Sequence, residues 1–224
     1  MLKRLLPLGL ALALAIGSLP AQSVEPPNLS TLKQQINGYV ASGQYGKEVA
    51  KVAAEANAYL VKRIPKGIPR SAKISKKLAV VFDIDETLLS NIRHIQANDY
   101  GYIPKSWDAW VAEGQCTAIY PVQAVYQTAV NAKVDVFFIT GRRPGDARGT
   151  ERNLREVGYE TWTRIIYKPA EFTESTRAFK LDARRKLAAE GYLIIANIGD
   201  QDSDLFGGYA ERTFKLPNPF YITN

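Results

Sequence analysis

The chain has one cysteine and one histidine in 224 residues, and each scarcity removes a class of protein. Cys116 has no second thiol to pair with, so no internal disulfide staples the fold. A Ser-His-Asp hydrolase would have to be built on His94, and the sequence contains no Gly-x-Ser-x-Gly elbow. There is no internal repeat, no low-complexity tract and no nucleic-acid module in which basic and stacking residues alternate. The apolar stretch 5–16 is too short to cross a bilayer.

What is present suffices for one main domain. Hydrophobic residues make up 46% of the chain, enough for one sizeable core, with or without a small insertion. Lys3 and Arg4, the apolar stretch after them and the small-residue exit at 18–21 read as a signal peptide. Cleavage is expected after Ala21, although Leu19 stands where a small residue is more usual. No cysteine follows the apolar stretch directly, so the mature chain is read as exported, periplasmic or secreted, with no stable membrane anchor. The formal charge is +7. Lys3 and Arg4 carry two of those charges, and the remainder is read mainly as a solvated basic surface. Arg142, Arg143, Arg148, Arg152 and Arg155 cluster in sequence and are suited to drawing in an anion.

Residues 24–29 read as a proline-rich linker, and Ser30 or Thr31 is placed to cap a helix running to about residue 40. Gly43 and Gly46 interrupt it. Val49, Val52, Ala53, Ala56, Tyr59 and Leu60 recur at helical spacing, so 47–63 is read as an amphipathic helix lying on the core. Pro65, Gly67 and Pro69 end it, and a basic stretch 70–77 leads to Leu-Ala-Val-Val-Phe at 78–82. That run is short and rich in β-formers, as a buried parallel strand is. Strand 134–139, helix 146–157, strand 162–167, helix 176–189 and strand 192–198 follow in alternation. The pattern predicts an α/β fold, a three-layer sandwich around a parallel, Rossmann-like sheet with right-handed crossovers. The division is 1–21 signal peptide, 22–77 linker and N-terminal helical segment, and 78–224 core. Within the core, 91–133 is too long for an ordinary strand-to-helix loop and carries helical pieces near 107–112 and 122–132, so it reads as an insertion.

Three strand ends carry the chemistry. The first ends in Asp83-Ile84-Asp85-Glu86-Thr87. Strand side chains alternate, so Asp83 and Asp85 are expected on one side, where two acids repel unless a cation lies between them. The second ends in Thr140-Gly141-Arg142-Arg143, Lys180 follows on a helix, and the third ends in Gly199-Asp200-Gln201-Asp202-Ser203-Asp204.

Asp-x-Asp-x-Thr at Asp83, Asp85 and Thr87, with the later motifs in this order, resembles the haloacid dehalogenase (HAD) superfamily. Segments 82–91, 199–205 and 215–220 are similar to its secreted acid phosphatase branch, class B/C-like and kin to plant vegetative storage proteins, over roughly residues 30–222. The resemblance implies a HAD-like core, a small and largely helical cap formed by 91–133, and an exported Mg²⁺-dependent acid phosphatase acting on small phosphomonoesters, not on a nucleic-acid polymer. It implies Asp83 as the nucleophile that forms an aspartyl-phosphate, and Asp85 as acid and then base. Thr140, the backbone of Gly141, Thr87 and Arg142 would meet the substrate. Lys180 would neutralise transition-state charge, with Lys168 as runner-up because it ends a strand. A hard cation, Mg²⁺, would sit on the side chains of Asp83 and Asp200, on the backbone carbonyl of Asp85, and on Asp204 directly or through water. Asp202 falls off the pattern.

Other phosphatase chemistries fail on inventory. One histidine cannot supply a histidine pair or the ligand set of a purple acid phosphatase, and six residues beyond Cys116 stands Val122, where a Cys-x5-Arg enzyme needs arginine. A phospho-receiver domain is disfavoured by the export signal, the length and the placing of the acids. A catalytically weak storage or binding protein of the same fold remains as an alternative. Tyr100, Tyr102, Trp107, Trp110 and Tyr120 concentrate aromatic surface in the insertion, as its small core or as the substrate mouth. His94 reads as polar surface or as part of the cap.

Overall fold

The computed structural model describes residues 25–67 and 77–223. The proposed signal peptide 1–21, residue 24 of the linker and the basic stretch 70–76 lie outside the described residues. The strands are β1 (Lys77–Phe82), β2 (Leu89–Ser90), β3 (Thr117–Ala118), β4 (Asp135–Thr140), β5 (Arg164–Tyr167), β6 (Tyr192–Gly199) and β7 (Thr213–Lys215). Five of them form a parallel sheet in the order β5-β4-β1-β6-β7, and β2 pairs antiparallel with β3. The helices are α1 (Leu29–Ala41), α2 (Gln44–Arg63), α3 (Ile92–Ala97), α4 (Pro104–Glu113), α5 (Tyr120–Asn131), α6 (Ala147–Glu156), α7 (Thr176–Ala189) and α8 (Asp202–Leu205).

The alternation of β1 sorts its side chains between two helical layers. Val80 and Phe82 join the cluster built with Ala53, Ala56 and Leu60 of α2 and Val122 and Val125 of α5. Ala79 and Val81 face Phe179, Ala183 and Leu187 of α7. Burial of each such Val, Leu or Phe stabilises by roughly 1.5–3 kcal/mol, and it places β1 at the centre of a three-layer α/β/α sandwich. β1 therefore delivers its carboxyl end to the middle of the sheet edge, flanked by the ends of β4 and β6, where open parallel sheets bind ligands.

Three boundaries differ from the sequence reading. Asn28, not Ser30 or Thr31, caps α1, its Oδ1 accepting from the N–H of Ser30 at 2.9 Å. Gly43 breaks α1 from α2 with φ +76°, which glycine tolerates, whereas Gly46 lies inside α2. The segment 91–133 is not all cap, since α5 packs its buried face on α2 and β4 within the core layer. α3, α4 and the β2/β3 pair precede it. No helix among the described residues is long and apolar enough to cross a membrane.

Candidate active site

Asp83 follows β1 directly, and its N–H still donates to the carbonyl of Ile198 at 2.9 Å, so the ladder fixes its backbone. The chain then folds into a tight turn in which the Ile84 carbonyl accepts from Leu88 and Leu89 N–H, both at 2.9 Å. Glu86 takes φ +54° within it. Asp83 is 5% exposed. Its Oδ1 accepts from Lys180 Nζ at 2.5 Å, and its Oδ2 is buried without a hydrogen-bond partner.

Lys180 comes from α7, where its side chain is buried, and it bridges Asp83 to Asp204, Nζ to Oδ1 at 2.5 Å. Asp204 lies on α8, its other oxygen accepting from the N–H of Gln201 at 2.8 Å. A Cβ on Gly199 would fall 2.5 Å from Asp204 Cβ, so only glycine at the end of β6 lets this side chain lie there. Asp200, beside it, is 1% exposed and accepts from Thr87 Oγ1 at 3.2 Å, Gln201 Nε2 at 2.7 Å and Asn218 Nδ2 at 2.6 Å.

The electrostatics of this cluster are those of too many acids for one cation. Burial pushes the Asp83 carboxyl well up from its ordinary range; Lys180 opposes this, and Asp204, Asp200 and Asp85 add to it. Burial, then Asp204, pushes Asp200 up to about 7. Burial works against the charge on Lys180, but Asp204 and Asp83 outweigh it and raise its pKa. Asp83, Asp200 and Asp204 each offer one oxygen, all within 4.8 Å of one another, and all three are buried. An unpartnered oxygen on Asp83, an all-oxygen donor set and surplus negative charge fit a hard divalent cation.

Asp85 departs from the expected shared orientation. Its carboxylate is not part of this cluster: it accepts from Arg142 Nη2 at 2.7 Å and Nε at 3.1 Å, and from Asn91 Nδ2 at 2.9 Å. The turn after Asp83 ends the strand alternation, and the buried guanidinium draws the second acid toward β4. Asp85 does line the cavity, together with Gly141 and Arg142.

Thr87, expected to meet the substrate, is fully buried behind Asp200, to which it donates. Thr140 is also fully buried; its Oγ1 accepts from the N–H of Arg142 at 3.0 Å and shapes the turn that follows β4. Lys168 donates to the carbonyl of Glu174 at 3.0 Å and does not line the cavity, which leaves Lys180 as the lysine beside Asp83.

Above these residues lies a cavity of about 640 Å³. Trp107, Tyr100, Tyr102 and His94 wall it from the insertion, and Arg143 from the second strand end. Trp110 belongs to the core of the insertion, with Nε1 donating to Asn91 Oδ1 at 2.9 Å. His94 is buried and stacks on Trp110 at 5.3 Å. Tyr120 is 73% exposed and lies off the cavity. Arg155 stacks over Trp162, and Arg148 and Arg152 line a separate, smaller depression.

Sequence reasoning missed three members of the site. Glu86 is buried beneath the turn, pushed up to about 7 by burial and then by Asp85. Tyr221 donates to it at 2.5 Å and lines the cavity, and Asn218 holds Asp200. Glu86 stands inside the first acidic motif and Asn218 inside segment 215–220, so both lie in stretches that carry the resemblance but no role legible from it, whereas no signal marks Tyr221, which lies in an irregular segment.

A family model described as HAD superfamily, subfamily IIIB (acid phosphatase) matches residues 16–224. The chain is 35% identical over 190 residues to the stem 28 kDa glycoprotein of Glycine max, covering 82% of this chain and 71% of that one. To acid phosphatase 1 of Solanum lycopersicum it is 31% identical over 210 residues, covering 88% and 80%. Its fold is similar to that of the class C acid phosphatase from Bacillus anthracis, with a TM-score of 0.69 at 23% identity over 85% and 86% of the two chains. With the family match spanning the sheet, the insertion and all three acidic strand ends, the chain belongs to the acid phosphatases of HAD subfamily IIIB and is a phosphoric monoester hydrolase.

Proposed function

We propose that this acid phosphatase is exported, depends on Mg²⁺ and hydrolyses small phosphomonoesters through an aspartyl-phosphate on Asp83. The observation that carries the reading is Asp83 itself: fixed at the end of the central strand, held by Lys180 through one oxygen and unpartnered at the other. Asp83, Asp200 and Asp204 would hold the cation, with the backbone carbonyl of Asp85. When bound, it neutralises the carboxylates and polarises a phosphoryl oxygen.

Asp83 then attacks phosphorus, and the bond from phosphorus to the ester oxygen breaks. Asp85 lines the same cavity and gives its proton to the departing oxygen. Water next attacks the phosphorus of the aspartyl-phosphate while Asp85 takes its proton, and phosphate leaves with Asp83 restored. Lys180 stays charged throughout and offsets the negative charge that grows on the phosphoryl group. Gly141 lies at the cavity wall, and its backbone is assigned to the phosphoryl oxygens. The aromatic wall bounds the leaving group and favours small esters. Export rests on the charged and apolar pattern of residues 1–21.

The test is a rapid acid quench followed by mass spectrometry. Asp85→Asn keeps the nucleophile and the backbone ligand but lacks the acid and base, so an activated ester should load the peptide that contains Asp83 and leave it phosphorylated. Asp83→Asn should fold, show no adduct and lose on the order of 10³-fold or more in rate. An active Asp83→Asn enzyme, or an adduct on another residue, overturns the mechanism. A catalytically weak storage or binding protein of the same fold would turn over a chromogenic phosphate ester poorly or not at all.

A further inference from the structure

Beyond β7, residues 216–223 cross the ends of the strands with no regular secondary structure, yet side chains tie them down at nearly every step. Leu216 N–H donates to the carbonyl of Gly199 at 2.8 Å. The ring of Phe220 packs on Tyr45 with centroids 5.3 Å apart. Gln201 donates to the carbonyl of Tyr221 at 3.3 Å and accepts from the N–H of Thr223 at 3.2 Å. Tyr221 reaches Glu86 in the turn after Asp83.

Within this segment Asn218 has both ends of its amide assigned by their partners. Its Oδ1 accepts from the N–H of Phe220 at 2.7 Å, so Nδ2 is the end that faces Asp200 Oδ2 at 2.6 Å. Asp200 is a buried carboxylate beside two other acids. Repulsion would turn it out of the cluster unless donors held it, and the side chains that donate to it are Thr87, Gln201 and Asn218. Gln201 and Thr87 sit on the same two strand ends as the acids. Asn218 alone brings a donor from outside the acidic motifs, on a segment anchored separately to Glu86.

We propose that Asn218 is a positioning residue that holds the Asp200 carboxylate in the orientation a divalent cation needs, so that segment 216–223 sets the metal affinity of the site. The inference rests on the metal reading given above. Asn218 does not touch the cation; it acts through Asp200. A donor to a ligating carboxylate fixes its rotamer, and losing such a partner weakens metal binding by about 10- to 100-fold.

The test uses the full chain with Mn²⁺ as probe, its Kd read by titration calorimetry, beside the melting temperature in EDTA. Asn218→Ala removes both hydrogen bonds. Asn218→Ser keeps a short acceptor for the N–H of Phe220, so the local turn persists, but it is too short to reach Asp200. Both variants should bind Mn²⁺ about 10- to 100-fold more weakly. Asn218→Ser should melt in EDTA where the parent does, and at saturating Mn²⁺ its kcat should return toward the parent value. A Kd for Asn218→Ser within about twofold of the parent, with or without a lowered melting temperature, would make Asn218 a residue of the fold and overturn the proposal. A parent chain that binds no Mn²⁺ would remove the metal reading itself, a result distinct from equal binding by parent and variant.

Discussion

Lys180 and Asp83 form an ion pair with Nζ 2.5 Å from Oδ1, both side chains 5% exposed, between residues 97 positions apart in sequence. The same Nζ lies 2.5 Å from Asp204, so one lysine holds the end of β1 against the turn after β6. A buried pair of this kind is costly to break, because the partner left behind is a desolvated charge.

Lys180→Met keeps the unbranched side chain, one atom shorter, and removes the charge. Turnover should fall by about 10²- to 10³-fold, the scale of losing one transition-state donor. Stability near neutral pH should fall by about 3–5 kcal/mol. Asp83 already holds its proton more tightly in the folded chain than an ordinary aspartate does, and without Lys180 it would hold it more tightly still. The stability loss should therefore shrink as pH falls and Asp83 protonates. Urea unfolding at pH 5 and pH 8 checks this, and equal losses at the two values would contradict it.

Metal-free protein should become less stable as pH rises from about 4 to about 7. Asp200 and Glu86 are pushed up from 3.8 and 4.5, respectively, to about 7 in the folded chain. Across that window the folded state binds more protons than the unfolded state, so stability declines with rising pH. Melting temperatures in EDTA should show the decline, and added Mg²⁺ should reduce it. A flat profile in EDTA would mean that these carboxyls are not shifted.

Chelation should abolish turnover and Mg²⁺ should restore it, because three buried acids and one lysine leave surplus negative charge at the point where a phosphate must arrive. With Asp85 delivering a proton to the leaving oxygen, the rate should peak below neutrality. Full activity after exhaustive chelation, or a rate still rising above about pH 8, would count against the assignment.

The two tryptophans of α4 should separate. Trp107 lines the cavity beneath Arg142, so Trp107→Ala should alter the ranking of bulky against small esters at little cost in stability. Trp110 is buried and donates to Asn91, so Trp110→Ala should cost about 3–5 kcal/mol. A substrate panel and thermal melts on both variants check the split. An unaltered ranking for Trp107→Ala would return that residue to packing alone.

Gly149→Ala should loosen the insertion from the core. A Cβ there would stand 2.2 Å from the Val111 carbonyl, so α6 and α4 cannot keep their approach. A stability loss of about 1–3 kcal/mol is expected, with a raised KM and faster proteolysis within 92–118. Unchanged proteolysis would show that α4 is held elsewhere.

The sequence by itself determined the sheet and where its chemistry lies. Apolar runs at β1, β4 and β6 and the 3.6-residue period of α7 are local patterns, and local patterns specify elements because burial rewards one face of each. Parallel strands then place Asp83, Thr140 and Asp200 at one edge. The motif signal reaches as far as Lys180 and Asp204, which the structure brings to Asp83. The motif order already favours Lys180 over Lys168; the tertiary structure adds that Lys180 lies beside Asp83 while Lys168 donates to the Glu174 carbonyl. It also decided that Asp85 turns to Arg142, that Thr87 and Thr140 lie buried off the cavity, and that α5 belongs to the core with α2. Segment 215–220 carries the resemblance, but the roles of Asn218 within it and of Tyr221 just beyond it were not legible, because side chains on an irregular segment take their positions from distant partners, Asp200 and Glu86, and no periodicity in the chain encodes such a meeting.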